Sequence, residues 1–488
     1  MASSVLGAIT VWGFSNYVSQ QEYGFFKFVT NLGLIAGSAM IFGMHNTTIF
    51  YIQKYRTNDY KSKALNTIAN LTPLFMLALI LPIYFLAKPF ILSLIGSSDR
   101  NYLDKYYWFL PAIAACYAYI TLLEAFLNSQ MKIAYSSFLK EIALKLFIIA
   151  AIAIYVTKVY LFDGFVLFTV IGFSLIVAMY FAKSAKSKIF RPNFDLNTFS
   201  NEEKRDIFNY AFFQFLLTIS LYLSNYVDQI ILPFLSKRGL QDVAVYINAV
   251  FLTSFIQIPA RSMAAAAAVE LAKSYNDNDL PKVKDIFSRT TINVVLSSML
   301  IAILLIGNLH SIIAVIMRKY EAVFNVFFVL LIGRVFDLAT GFNDVLLSTT
   351  RNYKLNFILS VLSIAVNIVL IYYTTSRYGI IGTAAGTSIS IILFNSLKTF
   401  FIYKKYKFHP FSKNILTILL CSLPPIALSY FCPSFFPFRG NNILNPIFDI
   451  AVRSIIISVS FLLMVLWLKP SEDLSTYIKT IKETKRLF

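Results

Sequence analysis

Lys54-Tyr55-Arg56-Thr57-Asn58-Asp59 and Ser274-Tyr275-Asn276-Asp277-Asn278-Asp279 are polar breaks in apolar sequence, and 220 positions separate their first residues, 54 and 274. The same displacement lays Ser19-Gln20-Gln21-Glu22 over Leu240-Gln241-Asp242, and Asp99-Arg100-Asn101 over Lys319-Tyr320-Glu321. It also lays Asn128-Ser129-Gln130-Met131-Lys132 over Ser348-Thr349-Thr350-Arg351-Asn352. Few of these residues are identical. What repeats is the order of the apolar runs and the kind of loop between them. Internal duplication of a membrane bundle is the usual plan of secondary transporters, whose substrate site lies between the repeats.

Composition sets the class. The 488 residues are 58% hydrophobic, 16% aromatic and 14% charged, with a mean hydropathy of +0.67. A membrane-spanning helix needs roughly 20 apolar residues, and the loops mark out about fourteen such runs, arranged as six, six and two. The expected fold is therefore an all-α polytopic membrane protein. Its two pseudo-repeated six-helix bundles cover 1–190 and 207–410, joined by a cytoplasmic linker at 191–206. Two further transmembrane helices fill 411–470, and a basic cytoplasmic tail follows at 471–488.

A net charge of +19 could suggest nucleic acid, but its distribution argues against that partner. Lys54, Arg56, Lys61 and Lys63, the segment Lys183 to Arg205, the segment Lys398 to Lys413 and the tail from Lys469 all fall on one side of the membrane. This positive-inside bias assigns both termini to the cytoplasm of a bacterial cell, with anionic lipid as partner of the basic faces. No Walker-type glycine loop occurs, so no ATP hydrolysis is expected, and no cofactor is implied. His45, His310 and His409 are scattered and make no metal site; His45 reads as buried packing. Cys116, Cys421 and Cys432 fall in apolar runs, and the latter two are too far apart on one helix for a disulfide. The first helix is about four turns shorter than its repeat partner, so a missing or alternative upstream start is expected.

Charges inside spans cost about 2.5–3.5 kcal/mol each at a helix centre unless they are paired or face water. Helix eight carries Arg261 after Pro259, followed by the smooth run Ala264 to Ala268. Helix ten carries Arg334 and Asp337, and helix five carries Glu141 and Lys145 in the favourable i,i+4 order. Glu124 and Asp344 are repeat equivalents, 220 positions apart. Arg261, Arg334 and Lys145 are the candidate substrate-binding cations. Asp337, Glu124 and Asp344 are candidates for ion coupling or pairing. The structural alternative stands beside each: Arg334–Asp337 and Glu141–Lys145 as self-neutralising pairs, Glu124 and Asp344 as solvated helix ends, Asp228 as a cap or brace. Arg261 has no acid within a turn of its own helix.

Glu22-Tyr23-Gly24-Phe25-Phe26, Asn225-Tyr226-Val227-Asp228-Gln229 and Tyr378-Gly379-Ile380-Ile381-Gly382-Thr383-Ala384-Ala385-Gly386 carry a family likeness. In order and position the chain resembles the polysaccharide-unit flippases of the multidrug/oligosaccharidyl-lipid/polysaccharide exporter superfamily. That resemblance implies a flippase, not an enzyme. Its substrate would be an undecaprenyl-pyrophosphate-linked oligosaccharide for O-antigen, capsule or exopolysaccharide, moved across the cytoplasmic membrane by alternating access. Polysaccharide polymerase and other export machinery would be further partners. The rival of the same fold is a cation-coupled multidrug or small-molecule exporter, which would favour a net acidic cavity. A membrane-embedded polymerase or glycosyltransferase would need a substantial outer loop, and none is expected here.

Overall fold

The computed structural model describes residues 2–55, 57–158, 161–195, 198–431, 444–471 and 473. Arg56, Cys432 and nearly all of the basic tail lie outside the described residues. Two compact units divide the chain, Met1–Ala244 and Val245–Phe488.

The first unit opens with α1 (Ala2–Tyr17), α2 (Gln20–Ile41) and α3 (Met44–Lys54). A capping box fixes the start of α2: Ser19 accepts from the Glu22 backbone while the Glu22 carboxylate accepts from the Ser19 backbone, satisfying two otherwise orphaned donors. The apolar run that follows Glu22 reads as one span in the sequence but is interrupted between α2 and α3. Phe42 and Gly43 are left-handed there, at φ 49° and 73°. At Gly43 an added Cβ would lie 2.0 Å from the Ala211 carbonyl oxygen, so only glycine lets the backbones meet. Helices α4 (Asp59–Leu86), α5 (Lys88–Ser93), α6 (Ser97–Lys105) and α7 (Phe109–Ser129) follow. Gly33 and Gly37 bring α2 against α7, where added Cβ atoms would meet Ile113 and the Ala114 carbonyl at 2.8 and 2.7 Å. This small-xxx-small contact lets membrane helices approach closely.

Helix five is assembled from α8 (Ile133–Phe138), a π-turn at Leu139–Ala143 and α9 (Leu144–Val156). The widened turn carries Lys140 and Glu141, and π-bulges of this kind often mark functional sites. Helices α10 (Phe162–Ser184) and α11 (Asn201–Leu235) complete the unit's long spans, the latter beginning with a second capping box, Ser200 and Glu203. Amide pairs tie α11 to its neighbours: Asn31 to Gln229 at 2.7 Å and Asn46 to Gln214 at 2.9 Å.

In the second unit α12 (Leu240–Ile256), which begins just before the boundary, and α13 (Ile258–Asn276) form one span bent by 50°. Pro259, expected inside a continuous helix, instead sits in the first turn of α13, where its missing N–H leaves no bond unmade. Helices α14 (Leu280–Ile316), α15 (Val323–Ala339) and α16 (Asn343–Thr349) come next, the last two as a second bent pair at 45°. Helix α17 (Tyr353–Tyr406) is two spans joined at Gly379, whose φ of 57° and ψ of −139° no helix can hold. Helices α18 (Lys413–Phe431) and α19 (Leu444–Leu468) close the chain and pack on α14.

Among the described residues, nine helices are long and apolar enough to cross a membrane, or eleven when each bent pair is one span. The chain is an all-helical, multi-pass membrane protein. The remaining three expected spans are the short α1, the composite helix five and one further half of α17, which counts once among the eleven.

Candidate functional site

In the second unit Arg261 and Asp337 are connected at the bend between α12 and α13. Gln257 occupies the break, and Arg261 follows one turn into α13. The exposed Arg261 guanidinium donates to Gln257 Oε1 at 3.0 Å, and makes no ion pair among the described residues. Gln257 Nε2 in turn donates to Asp337 Oδ2 at 3.5 Å, and Asn395 Nδ2 donates to Asp337 Oδ1 at 2.9 Å. Asp337 is thus held by two amides. The expected Arg334–Asp337 contact pair does not form among the described residues. Arg334 acts on Asp337 only through space; it is half-buried and has no hydrogen-bond or ion-pair partner among the described residues.

The repeat-equivalent acids are each taken by a lysine of their own unit. Glu124 on α7 accepts from Lys140 at 2.6 Å, and Asp344 on α16 accepts from Lys398 at 2.5 Å. Glu124 is thus paired in a mostly buried setting, whereas Asp344 is paired and also solvent-exposed, its side chain 60% accessible. The two lysines come from different helices, helix five in one unit and the second half of α17 in the other, so the pairing is equivalent in kind and not in sequence.

In the first unit Lys145 donates to the Ser3 carbonyl at 3.0 Å, to the Ser3 hydroxyl and to Glu141 at 3.5 Å. The Glu141–Lys145 pair forms, with Ser3 as a third member that also donates to Glu141 at 2.6 Å. Lys27 on α2 was not among the expected candidates, yet its ammonium has no ion-pair or hydrogen-bond partner among the described residues. Lys145 is near enough to repel it. Its signal lies in the sequence as a lone lysine in Phe25-Phe26-Lys27-Phe28. Starting the span at 25 put Lys27 at a membrane edge, whereas the capping box starts α2 at Gln20 and places it two turns inside.

His45 is half-buried and lies 3.4 Å from the Thr218 hydroxyl. Asp228 is buried and accepts from the Gln229 backbone at 2.8 Å, as a brace would. No group of three His, Cys, Asp or Glu side chains able to hold a metal occurs among the described residues.

A bent, duplicated bundle with cations displayed inside its spans defines a transporter or flippase, and comparison with known proteins agrees. The family model described as "Polysaccharide biosynthesis protein" matches residues 1–269, and the chain belongs to that family. No curated protein matches it by sequence. Among solved structures, the lipid II flippase MurJ in an inward closed conformation is similar over 94% of this chain and 96% of its own. The identity is 18% and the TM-score 0.69. An inward-facing multidrug resistance transporter of the MATE family is similar over 83% of this chain and 95% of its own, at 14% identity and a TM-score of 0.67. A mutant of the Vibrio cholerae MATE transporter VcmN is similar over 83% and 94%, at 14% identity and a TM-score of 0.53. At these identities the likeness establishes the fold. Family and fold together make this a member of the polysaccharide biosynthesis protein family that shares the fold of the flippase and transporter structures it resembles.

Proposed function

We propose that the protein moves an undecaprenyl-pyrophosphate-linked oligosaccharide from the inner to the outer leaflet of the bacterial cytoplasmic membrane by alternating access, with both termini cytoplasmic. The observation that carries this reading is the uncompensated cations of each unit: Arg261 and Arg334 in the second and Lys27 in the first have no carboxylate partner among the described residues, while Glu124 and Asp344 pair with lysines. Unpaired cations inside a membrane are costly unless a water-filled cavity or an anionic ligand accepts them. A diphosphate is such an anion, and the planar guanidinium fork of Arg261 matches its oxygens two at a time. Arg334 contributes a second guanidinium in the same unit. Lys145, pinned by Ser3 and Glu141, sets the position of charge around Lys27, which takes the free role first expected of Lys145.

Energy need not come from ATP. Moving one charge across the membrane is worth about 2.3 kcal/mol per 100 mV, and a cell interior that is negative drives a diphosphate outward. The second reading, a cation-coupled exporter, has one observation in its favour: Asp337, held between two amides, is an acid that a coupling cation could neutralise. Surface polysaccharide distinguishes them. Arg261→Ala should abolish it while the protein stays in the membrane at its normal level, and Arg261→Lys should recover part, because the bidentate fork is lost. Full surface polysaccharide in Arg261→Ala would remove the diphosphate reading.

A further inference from the structure

The α1–α2 turn, α6 and the adjoining ends of α9 and α10 line an open cavity of about 670 Å³ at one end of the first unit. Small-molecule sites typically occupy roughly 300–1,000 Å³ and combine apolar walls with a few placed polar groups. The walls here are aromatic: Tyr102 and Tyr106 meet the ring of Phe162 at centroid distances of 6.2 and 5.4 Å, and Tyr17 and Tyr155 complete the lining. Interfacial tyrosines that only anchor a helix lie against lipid. Tyr106 does not, being 5% exposed with its hydroxyl donated to Asp163 at 2.8 Å.

Two acidic and two basic side chains line the cavity, Glu22 and Asp163 against Lys105 and Lys158. Their formal charges cancel, so the cavity has no preference for a diphosphate or an anionic lipid. Asp163 is occupied by Lys105 and Tyr106. Glu22 is not: its Oε2 accepts from the Ser19 hydroxyl at 2.6 Å and from Tyr155 at 2.9 Å, while Oε1 accepts from none of the described residues. Lys158 and the Tyr102 hydroxyl likewise have no hydrogen-bond partner among the described residues. Burial raises the Tyr102 hydroxyl above its ordinary value, which keeps it a donor.

Flat aromatic faces beside one free acceptor and two free donors, at zero net charge, are the complement of a sugar. Its C–H face packs on rings while its hydroxyl edge both gives and takes hydrogen bonds. We infer that this cavity is a carbohydrate-binding site, separate from the cation set of the second unit, and that it holds the neutral glycan of the transported substrate. The inference rests on the transport reading above for the identity of that glycan, and on the charge bias for placing this end of the unit outside.

The test uses purified full-length protein in nanodiscs and the cell's own repeat-unit oligosaccharide, released from its lipid by mild acid. Saturation-transfer NMR should show transfer from aromatic protons to sugar ring protons. Tyr102→Ala should weaken binding at least tenfold. So should Lys158→Gly, which suits the left-handed backbone at that exposed position (φ 56°). No transfer, transfer equal in the two cavity variants, or displacement of the sugar by glycerophosphoethanolamine would overturn the proposal, the last in favour of a lipid headgroup. A strain lacking the gene separates the two readings. Lost surface polysaccharide with no oligosaccharide binding sinks the sugar site alone, whereas undiminished polysaccharide sinks the transport reading and the glycan assignment with it.

Discussion

Arg261 and Asp337 are joined through a single side-chain amide: Gln257 accepts from the guanidinium at 3.0 Å and donates to the carboxylate at 3.5 Å. The amide stands at the 50° bend between α12 and α13. A cation, an acid and a helix break thus share one residue. An anion binding Arg261 would compete for the bond to Gln257 and so reach both the bend and Asp337.

Gln257→Leu keeps approximate volume and removes both bonds. Hydrogen bonds to charged groups contribute about 1.5–3 kcal/mol each, so surface polysaccharide should fall by about tenfold or more with membrane levels of the protein near normal. Immunoblots of membrane fractions beside polysaccharide staining check this. An unchanged polysaccharide level would show that the bridge carries no function.

Lys27 and Lys145 should behave differently. Lys27→Ala removes an ammonium that no described residue pairs, so activity should drop while stability holds or improves. Lys145→Ala strips Glu141 of its cation and Ser3 of two bonds, so the thermal midpoint of the detergent-purified protein should fall. Equal stability losses in both variants would make Lys27 a structural residue.

Much of this was legible before any coordinates. Long apolar runs and polar loops at a fixed displacement mark the spans, because sustained hydropathy identifies a membrane-crossing helix. The acids at 124 and 344 were found through the same repeat. Their lysine partners were not, since Lys140 and Lys398 are not repeat equivalents and only packing brings each to its acid. The Arg334–Asp337 spacing suggested a pair, but the amides of Gln257 and Asn395, on other helices, reach Asp337 instead. The break at Phe42–Gly43 was missed because the surrounding run stays apolar. With the start of α2 placed five residues late, Lys27 was passed over as an edge residue.

Gly43→Ala forces a side chain into left-handed backbone, which costs about 1–2 kcal/mol, and drives its Cβ toward the Ala211 carbonyl. The protein should lose stability by more than the backbone cost alone, seen as an earlier transition in fluorescence-detected size-exclusion chromatography. A variant as stable as the parent would mean that α3 and α11 separate without penalty.

Orientation can be read by cysteine labelling. Single cysteines at Lys237 and Tyr378 should react with an impermeant maleimide from outside, while those at Asn58, Ser187 and Lys405 should not. Lys237 is exposed and suits the test better than Gly239, where a side chain would meet the Asp99 carboxylate. Reversed labelling would invert the direction of transport.

Translocation of the lipid-linked substrate itself is the most direct measurement. Proteoliposomes carrying undecaprenyl-pyrophosphate-linked oligosaccharide would be probed with an impermeant lectin, which counts glycans on the outer leaflet before and after an imposed membrane potential. The purified protein should raise the outer-leaflet fraction when the potential favours outward movement of anions, and Arg261→Ala should leave it at the level of protein-free liposomes. An outer-leaflet fraction that the unaltered protein does not change, or that Arg261→Ala raises equally, would contradict diphosphate-based flipping.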